Sequence, residues 1–195
     1  MRKNTLDKNI NYIISGLERS GTSMLMQILR KGGIPIAFND DLRPPDESNP
    51  KGYYELEGGK IINRLMDGIF PFNKYKGKVI KITAYGLKYL PTGNYKIIYS
   101  ERNIEEILDS MEKMSGIKDE NREETKKVFI KLNEMIKKQI SNRKGIEVLF
   151  VNYNTIISNP KNHIIKIFDF LNMTDIDLTQ IINTVDKKLY RQRRQ

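Results

Sequence analysis

The first residues that could do chemistry form the run Gly16-Leu17-Glu18-Arg19-Ser20-Gly21-Thr22-Ser23. It follows a β-branched stretch, Tyr12-Ile13-Ile14-Ser15, and precedes an apolar stripe at helical spacing, Met24, Leu25, Ile28 and Leu29. A glycine-bounded turn between a strand and a helix aims backbone N–H groups and the helix dipole at one point, where an anion binds. Thr22 and Ser23 add hydroxyl donors at the helix start. Gly16 and Gly21 have the spacing of the nucleotide-binding loop Gly-x4-Gly-Lys-[Ser/Thr], but Thr22 stands where the lysine belongs. That lysine serves the β- and γ-phosphates of a nucleoside triphosphate, so a triphosphate fits poorly. Arg19, inside the loop, can instead reach a leaving oxygen on a single 5′-linked group. An ordinary glycine-containing strand–helix connection is the alternative.

A second pair lies further on. The run Lys96-Ile97-Ile98-Tyr99-Ser100 ends at Glu101-Arg102-Asn103, and the helical segment after it carries Ser110. Two helical turns separate Asn103 from Ser110, about 10 Å along one face. An Arg at a strand's end and a Ser on the next helix can grip one phosphate from two sides. An unrelated surface Arg and helical Ser would give the same spacing.

Together these residues carry a resemblance. Ser15 to Ser23 resembles the 5′-phosphosulfate loop of the PAPS-dependent sulfotransferases (PAPS is 3′-phosphoadenosine 5′-phosphosulfate), in the Arg-Ser-Gly-Thr form of the tyrosylprotein and many bacterial members. Gly32-Gly33-Ile34-Pro35-Ile36 and Arg43-Pro44-Pro45-Asp46-Glu47-Ser48-Asn49-Pro50-Lys51-Gly52-Tyr53-Tyr54-Glu55 are similar to the segment that follows it in a bacterial subgroup. The similarity runs in patches from Tyr12 to Phe170. It implies a P-loop-type nucleotide-binding fold, PAPS as co-substrate with PAP as product, and a hydroxyl or amine acceptor. Gly16, Arg19, Ser20, Gly21, Thr22 and Ser23 would hold the 5′ group, and Arg102-x7-Ser110 resembles the family's 3′-phosphate site. Val148 to Pro160 looks like the family's strand and Tyr-Glu-x-Leu segment, which would set Tyr153 near the adenine; a half-buried structural tyrosine is the alternative. Asn154 departs from the usual Glu.

Sulfuryl transfer is an in-line displacement governed by positioning and charge stabilisation. The transferred group carries less charge than a phosphoryl, so no metal is expected. Arg19 and the Ser20–Thr22 amides suit the leaving bridging oxygen. Lys81, odd within the apolar run Val79-Ile80-Lys81-Ile82, suits the equatorial oxygens. In the vertebrate cytosolic enzymes this segment reads Lys-Thr-His with the histidine as base, and Thr83 occupies that place here. The sole histidine, His163, falls on a predicted outer helix and reads as a surface residue. Glu55, at the start of the predicted helix holding Ile61, Ile62 and Leu65, is the expected base, with Asp46 and Glu47 as substitutes. A helix N-terminal Glu favoured by the dipole is the alternative.

These residues need a scaffold. Four runs read as buried strands: Tyr12–Ile14, Val79–Ile82, Lys96–Tyr99 and Val148–Val151, with a weaker fifth at Ile34–Ile36. Helical periodicity joins Ile104, Ile107, Leu108, Met111 and Met114. It also joins Val128, Phe129, Leu132, Met135, Ile136 and Ile140, and then Ile164, Ile165, Phe168 and Leu171. Alternation of strands and helices predicts an α/β fold of three layers, a mostly parallel sheet flanked by helices. Ligands then bind at the carboxyl ends of the strands. Asn39 to Gly59 reads as a long surface loop that, with Lys118–Glu124, sets acceptor choice.

The 195 residues predict one domain, and the net charge of +10 asks for an anionic partner. The absence of cysteine excludes disulfides, thiolate metal sites and a cysteine nucleophile. No apolar run reaches the ~20 residues of a membrane span, and the N-terminus has no secretory pattern, so a cytoplasmic protein is expected. Two rivals remain. A P-loop kinase or NTPase using ATP and Mg²⁺ would share the fold, and a basic protein binding nucleic acid would share the charge. The lysines and arginines are spread along the chain without an interleaved aromatic stripe, so no nucleic acid is expected. The basic tail, residues 186–195, reads as a solvated, frayed terminus.

Overall fold

The computed structural model describes residues 5–191 and 194. In chain order it contains β1 (Asn11–Gly16), α1 (Thr22–Lys31), α2 (Ile61–Met66), β2 (Val79–Lys81), β3 (Tyr95–Glu101), α3 (Ile104–Ser115), α4 (Arg122–Asn142), β4 (Ile146–Asn152), α5 (Tyr153–Ser158), α6 (Pro160–Phe170) and α7 (Leu178–Ile182), with short 3-10 turns between several of them. The strands form one parallel sheet in the order β2-β1-β3-β4.

Side-chain alternation divides the core between the two faces. Tyr12, Ile14 and Ile98 pack with Leu25, Ile28 and Leu29 of α1 and with Ile164, Ile167 and Phe168 of α6. Ile13, Ile97 and Tyr99 point the other way, against Leu65, Ile107, Ile136 and Ile140. Helices on both faces thus make the three layers read from the alternation of strands and helices.

Three expectations change. Ile34–Ile36 is not a full strand. It contributes one parallel bridge, Ile36 with Val79, flanked by Val79 N–H to Pro35 O at 2.8 Å and Ala37 N–H to Val79 O at 2.9 Å. Pro35 has no N–H to extend a ladder. On α4 Ile136 and Ile140 are buried and Phe129 and Leu132 pack partly buried beside them, while Val128 is 62% exposed and Met135 45% exposed. The predicted apolar face was too wide. Finally, Glu55 does not begin a helix: a 3-10 turn, Glu57–Gly59, intervenes before α2 starts at Ile61.

The chain leaves β1 toward β2 and returns to β3 on the opposite side of β1. The crevice beyond the carboxyl ends of β1 and β3 is therefore the switch point where such sheets bind ligands.

Candidate functional site

The loop from Gly16 to Gly21 crosses that switch point. Gly16 (φ 151°) pairs with Ser100 of β3, and a Cβ on Gly16 would lie 2.5 Å from the Ser100 carbonyl. Ser100 Oγ in turn donates to Ser20 O at 2.7 Å, fixing the loop to the neighbouring strand. Gly21 (φ 99°) is the N-cap of α1 and, lacking a side chain, leaves the first amides of that helix uncapped. A Cβ there would meet the Tyr153 ring at 2.2 Å, so only glycine lets the ring lie on the loop. Ser20 Oγ is buried with no hydrogen-bond partner among the described residues.

Arg19, in the left-handed region at φ 63°, extends its side chain over the site. Its Nε donates to Ser110 Oγ at 3.0 Å and its Nη2 to Ser48 O at 3.0 Å. Burial, reinforced by the charge on Arg102 and opposed by Tyr53, holds its pKa below the ordinary value. The loop and the α3 serine are thus in direct contact.

The Arg102 side chain is buried, at 7% exposure. Its Nη1 donates to Arg19 O at 3.0 Å, its Nε to Glu106 Oε2 at 3.0 Å, and its guanidinium lies 4.7 Å from the centre of the Tyr153 ring. Glu106, with 1% side-chain exposure, is a hub that sequence reasoning missed. It also accepts from Asn154 Nδ2 at 3.1 Å, Tyr190 OH at 2.6 Å and the Arg194 amide at 3.3 Å. Burial pushes its carboxyl up, but the hydrogen bonds from Tyr190, Arg102, Arg194 and Asn154 outweigh burial and leave it below the usual carboxylate value. The signal for it was present: Glu106 and Ser110 lie four residues apart on one face of α3, and Arg102 stands just before the helix start. Asn154 now has a physical reason. A glutamate there would set a second carboxylate against Glu106, whereas the amide donates to it.

The third group surrounds Glu55. Lys81, at the end of β2 and buried, donates to Tyr53 O at 2.9 Å, Glu55 Oε1 at 3.1 Å and Ser23 Oγ at 3.2 Å. All three ammonium hydrogens therefore have protein acceptors. Burial lowers its pKa, and Glu55 opposes the shift. Glu55 Oε2 accepts from Arg43 Nη1 at 2.6 Å. The Arg43 guanidinium lies 3.7 Å from the centre of the Tyr53 ring, and Tyr53 OH donates to Asp46 Oδ2 at 2.7 Å. Tyr53's hydroxyl holds the Asp46 carboxyl below its usual range.

Arg19, Thr22, Ser23, Glu47, Glu55, Lys81, Thr83, Arg102, Ser110 and Tyr153 all line one cavity of about 490 Å³. His163, partly buried on α6, does not line it. The loop 39–59 is less of a surface feature than expected: Tyr53, Tyr54 and Leu56 are buried, and Arg43, Ser48 and Asn49 face the cavity.

The described part of the tail is held, in contrast to the expected solvated terminus. Tyr190 OH reaches Glu106, Arg191 Nη2 donates to Glu47 O at 2.9 Å, and Arg194 forms two 2.7 Å bonds with Asp109. Tyr190 brings an aromatic face to Tyr153, and Arg194 meets a cluster of acidic groups on α3, so both gain partners that water would otherwise supply. Residues 192, 193 and 195 lie outside the described set.

Several solved structures are similar to the chain. The sulfotransferase domain from the Synechococcus PCC 7002 olefin synthase aligns at TM-score 0.54 and 14% identity, over 98% of this chain and 82% of that one. The sulfotransferase domain from the curacin biosynthetic pathway gives 0.52 at 15% identity, over 92% and 78%. Mouse sulfotransferase SULT7A1 complexed with PAP gives 0.51 at 17% identity, over 92% of this chain and 64% of the mouse chain. The chain thus spans under two-thirds of the mouse enzyme's length, and at these identities the likeness is one of fold. No curated protein sequence matches. The family model described as a sulfotransferase domain matches residues 9–194, nearly the whole sequence, and the chain therefore belongs to the sulfotransferase family.

Proposed function

We propose that residues 1–195 act as one cytoplasmic sulfotransferase domain that moves a sulfuryl group from PAPS to a hydroxyl or amine of a small-molecule, glycan or peptide acceptor and releases PAP. The observation that carries this reading is the 3.0 Å bond from Arg19 Nε to Ser110 Oγ. It joins an uncapped helix N-terminus on one side to the Arg102–Ser110 pair on the other. Two anion-binding elements side by side suit a nucleotide with anionic groups at both its 5′ and 3′ positions.

The residues present fit such a donor. The uncapped amides of α1, the Ser23 hydroxyl and the Arg19 guanidinium converge on the cavity, and Arg102 and Ser110 line it next to them. PAPS, when bound, supplies an activated sulfuryl group on a phosphate leaving group. Arg19 and the loop amides would hold the bridging oxygen. Lys81 would exchange its Ser23 bond for an equatorial oxygen. Glu55, bound by the same Lys81, would take the acceptor's proton. Tyr153, under Arg102 and against Gly21, would border the adenine.

Calorimetric titration tests the reading. PAP should bind at least about tenfold more tightly than ADP, since a charge-assisted contact to the 3′-phosphate contributes about 1.5–3 kcal/mol. Equal affinities would remove the 3′-phosphate from the reading, and tighter binding of ATP with Mg²⁺ would replace it with a kinase-like one.

A further inference from the structure

The Glu55 carboxylate is gripped from three sides. Oε1 faces Lys81 at 3.1 Å and Oε2 faces Arg43 at 2.6 Å. Behind it runs the Gly58–Gly59 turn, where a Cβ on Gly59 (φ 87°) would lie 2.8 Å from Oε2 and 3.8 Å from Arg43 Nη1. The turn is glycine at the point where the backbone must pass against the ion pair, and any side chain there would displace it.

Lys81 and Arg43 differ in what else they do. Lys81 is buried at 8% side-chain exposure and also ties Tyr53 and Ser23 into the fold. Arg43 is 38% exposed, and its side chain meets the Tyr53 ring and Glu55. An ion pair that open to water adds little to stability. Yet Arg43 is built to be immobile: its guanidinium is stacked at 3.7 Å on a tyrosine that is itself 4% exposed and anchored through its hydroxyl to Asp46. Asp46 is fixed in turn by the Asn49 amide at 2.8 Å. The chain Asp46–Tyr53–Arg43 delivers a rigid cation to one oxygen of a carboxylate whose other oxygen already has a partner. Without Arg43, that carboxylate could swing about its last torsion toward the cavity or away from it.

We infer that Arg43 is a positioning residue for the transfer reaction: it fixes the orientation of Glu55 and so aims the oxygen lone pair that receives the acceptor's proton. The inference rests on the reading of Glu55 as the base. Proton transfer demands alignment, and a misplacement near 1 Å costs roughly 10²-fold in rate. Arg43 therefore acts through Glu55 and need not touch the donor.

The test uses the full chain and a double-variant cycle, with PAP release from PAPS in water as the assay, since water is an acceptor that needs no identification. Arg43→Met keeps the stem and removes the guanidinium. It should lower kcat by about tenfold to a hundredfold, with KM for PAPS, PAP affinity and melting temperature nearly unchanged. Arg43→Lys should recover part of the loss. Combining Arg43→Met with Glu55→Gln should be no slower than Glu55→Gln alone, because the clamp has nothing left to aim. Additive losses, or full activity in Arg43→Met, would overturn the inference. If Glu55→Gln keeps full activity while Arg43→Met does not, Arg43 acts without Glu55 and the inference fails. If PAP does not bind the unaltered chain, the donor reading fails instead. A crystal structure of Arg43→Met gives a readout independent of turnover. Glu55 should turn from its Arg43-facing position, and an unmoved, equally ordered carboxylate would overturn the inference.

Discussion

Glu106 accepts the Nε–H of Arg102 at 3.0 Å, with 7% exposure for the arginine side chain and 1% for the glutamate. The residue that would address the 3′-phosphate is thus held by a buried counter-charge. Arg102→Ala should abolish the preference for PAP over ADP, and it should also destabilise the fold. Removing one partner of a buried pair costs up to about 3–5 kcal/mol, a figure that the three remaining donors on Glu106 reduce. Arg102→Ala with Glu106→Gln removes the orphaned charge as well. The double variant should melt above the single Arg102→Ala variant while showing the same lost preference, measured by calorimetry with PAP and ADP.

The same carboxylate predicts an acid limb. Glu106 titrates below its ordinary 4.5 in the folded chain, as Asp46 and Asp109 do below theirs. Between the folded and ordinary values the unfolded chain binds more protons. The stability these groups contribute is therefore complete above the ordinary range and lost as pH falls through the folded values. Urea unfolding followed from about pH 6 downward should show this loss, and Glu106→Gln should flatten it. Asn154→Asp should lower stability near neutral pH and flatten the loss, because a second carboxylate beside Glu106 favours proton uptake in the folded chain.

How much of this was readable beforehand depends on sequence separation. Gly16 to Ser23 was legible because strand, turn and helix follow one another without a break, so the loop's chemistry is local. Arg102 and Ser110 were legible for the same reason. The pairing of Glu55 with Lys81 and Arg43 spans 26 and 12 residues, and that of Glu106 with Tyr190 spans 84. No periodicity encodes such contacts; they come from the crossing of β2 under the 39–59 segment and from the return of the tail across α3. The Pro35 bridge and the outward turn of Val128 have the same origin, since each local pattern yields to what the neighbouring layer can pair or cover.

Turnover should survive EDTA. The position after Gly21 is Thr22 in place of the lysine of triphosphate loops, and the cavity wall carries its own cations, Arg19, Lys81 and Arg102. They can neutralise a sulfuryl donor without a divalent ion at the transferred group. PAP release from PAPS measured with and without chelator should agree within error. Strict loss of activity, restored by Mg²⁺, would contradict the assignment of that work to the protein's arginines and lysines.

Glu55→Gln should lower kcat by about 10²–10⁴-fold with PAP affinity nearly unchanged, and His163→Ala should leave both near wild type. In the proposed transfer a hydroxyl acceptor would lose its proton as the new S–O bond forms, which calls for a proton acceptor in the cavity. Thr83 lines the cavity and cannot serve. His163 is a base by chemistry, but it lies on α6 away from the cavity lining, with burial and Lys166 lowering its pKa. Glu55 lines the cavity wall, and each of its oxygens has a lone pair beyond the one facing Lys81 or Arg43. The glutamine variant keeps the volume yet sets an amide NH₂ against one of those two cations. Some loss of order around Lys81 or Arg43 is therefore expected alongside the lost proton transfer. Glu55→Asp separates the two effects: it restores a proton acceptor but shortens its reach, so partial activity with recovered order would confirm the carboxylate's chemical role. Full activity in Glu55→Gln would move the role to Glu47, which lines the cavity as Asp46 does not, and loss of activity confined to His163→Ala would overturn the assignment altogether.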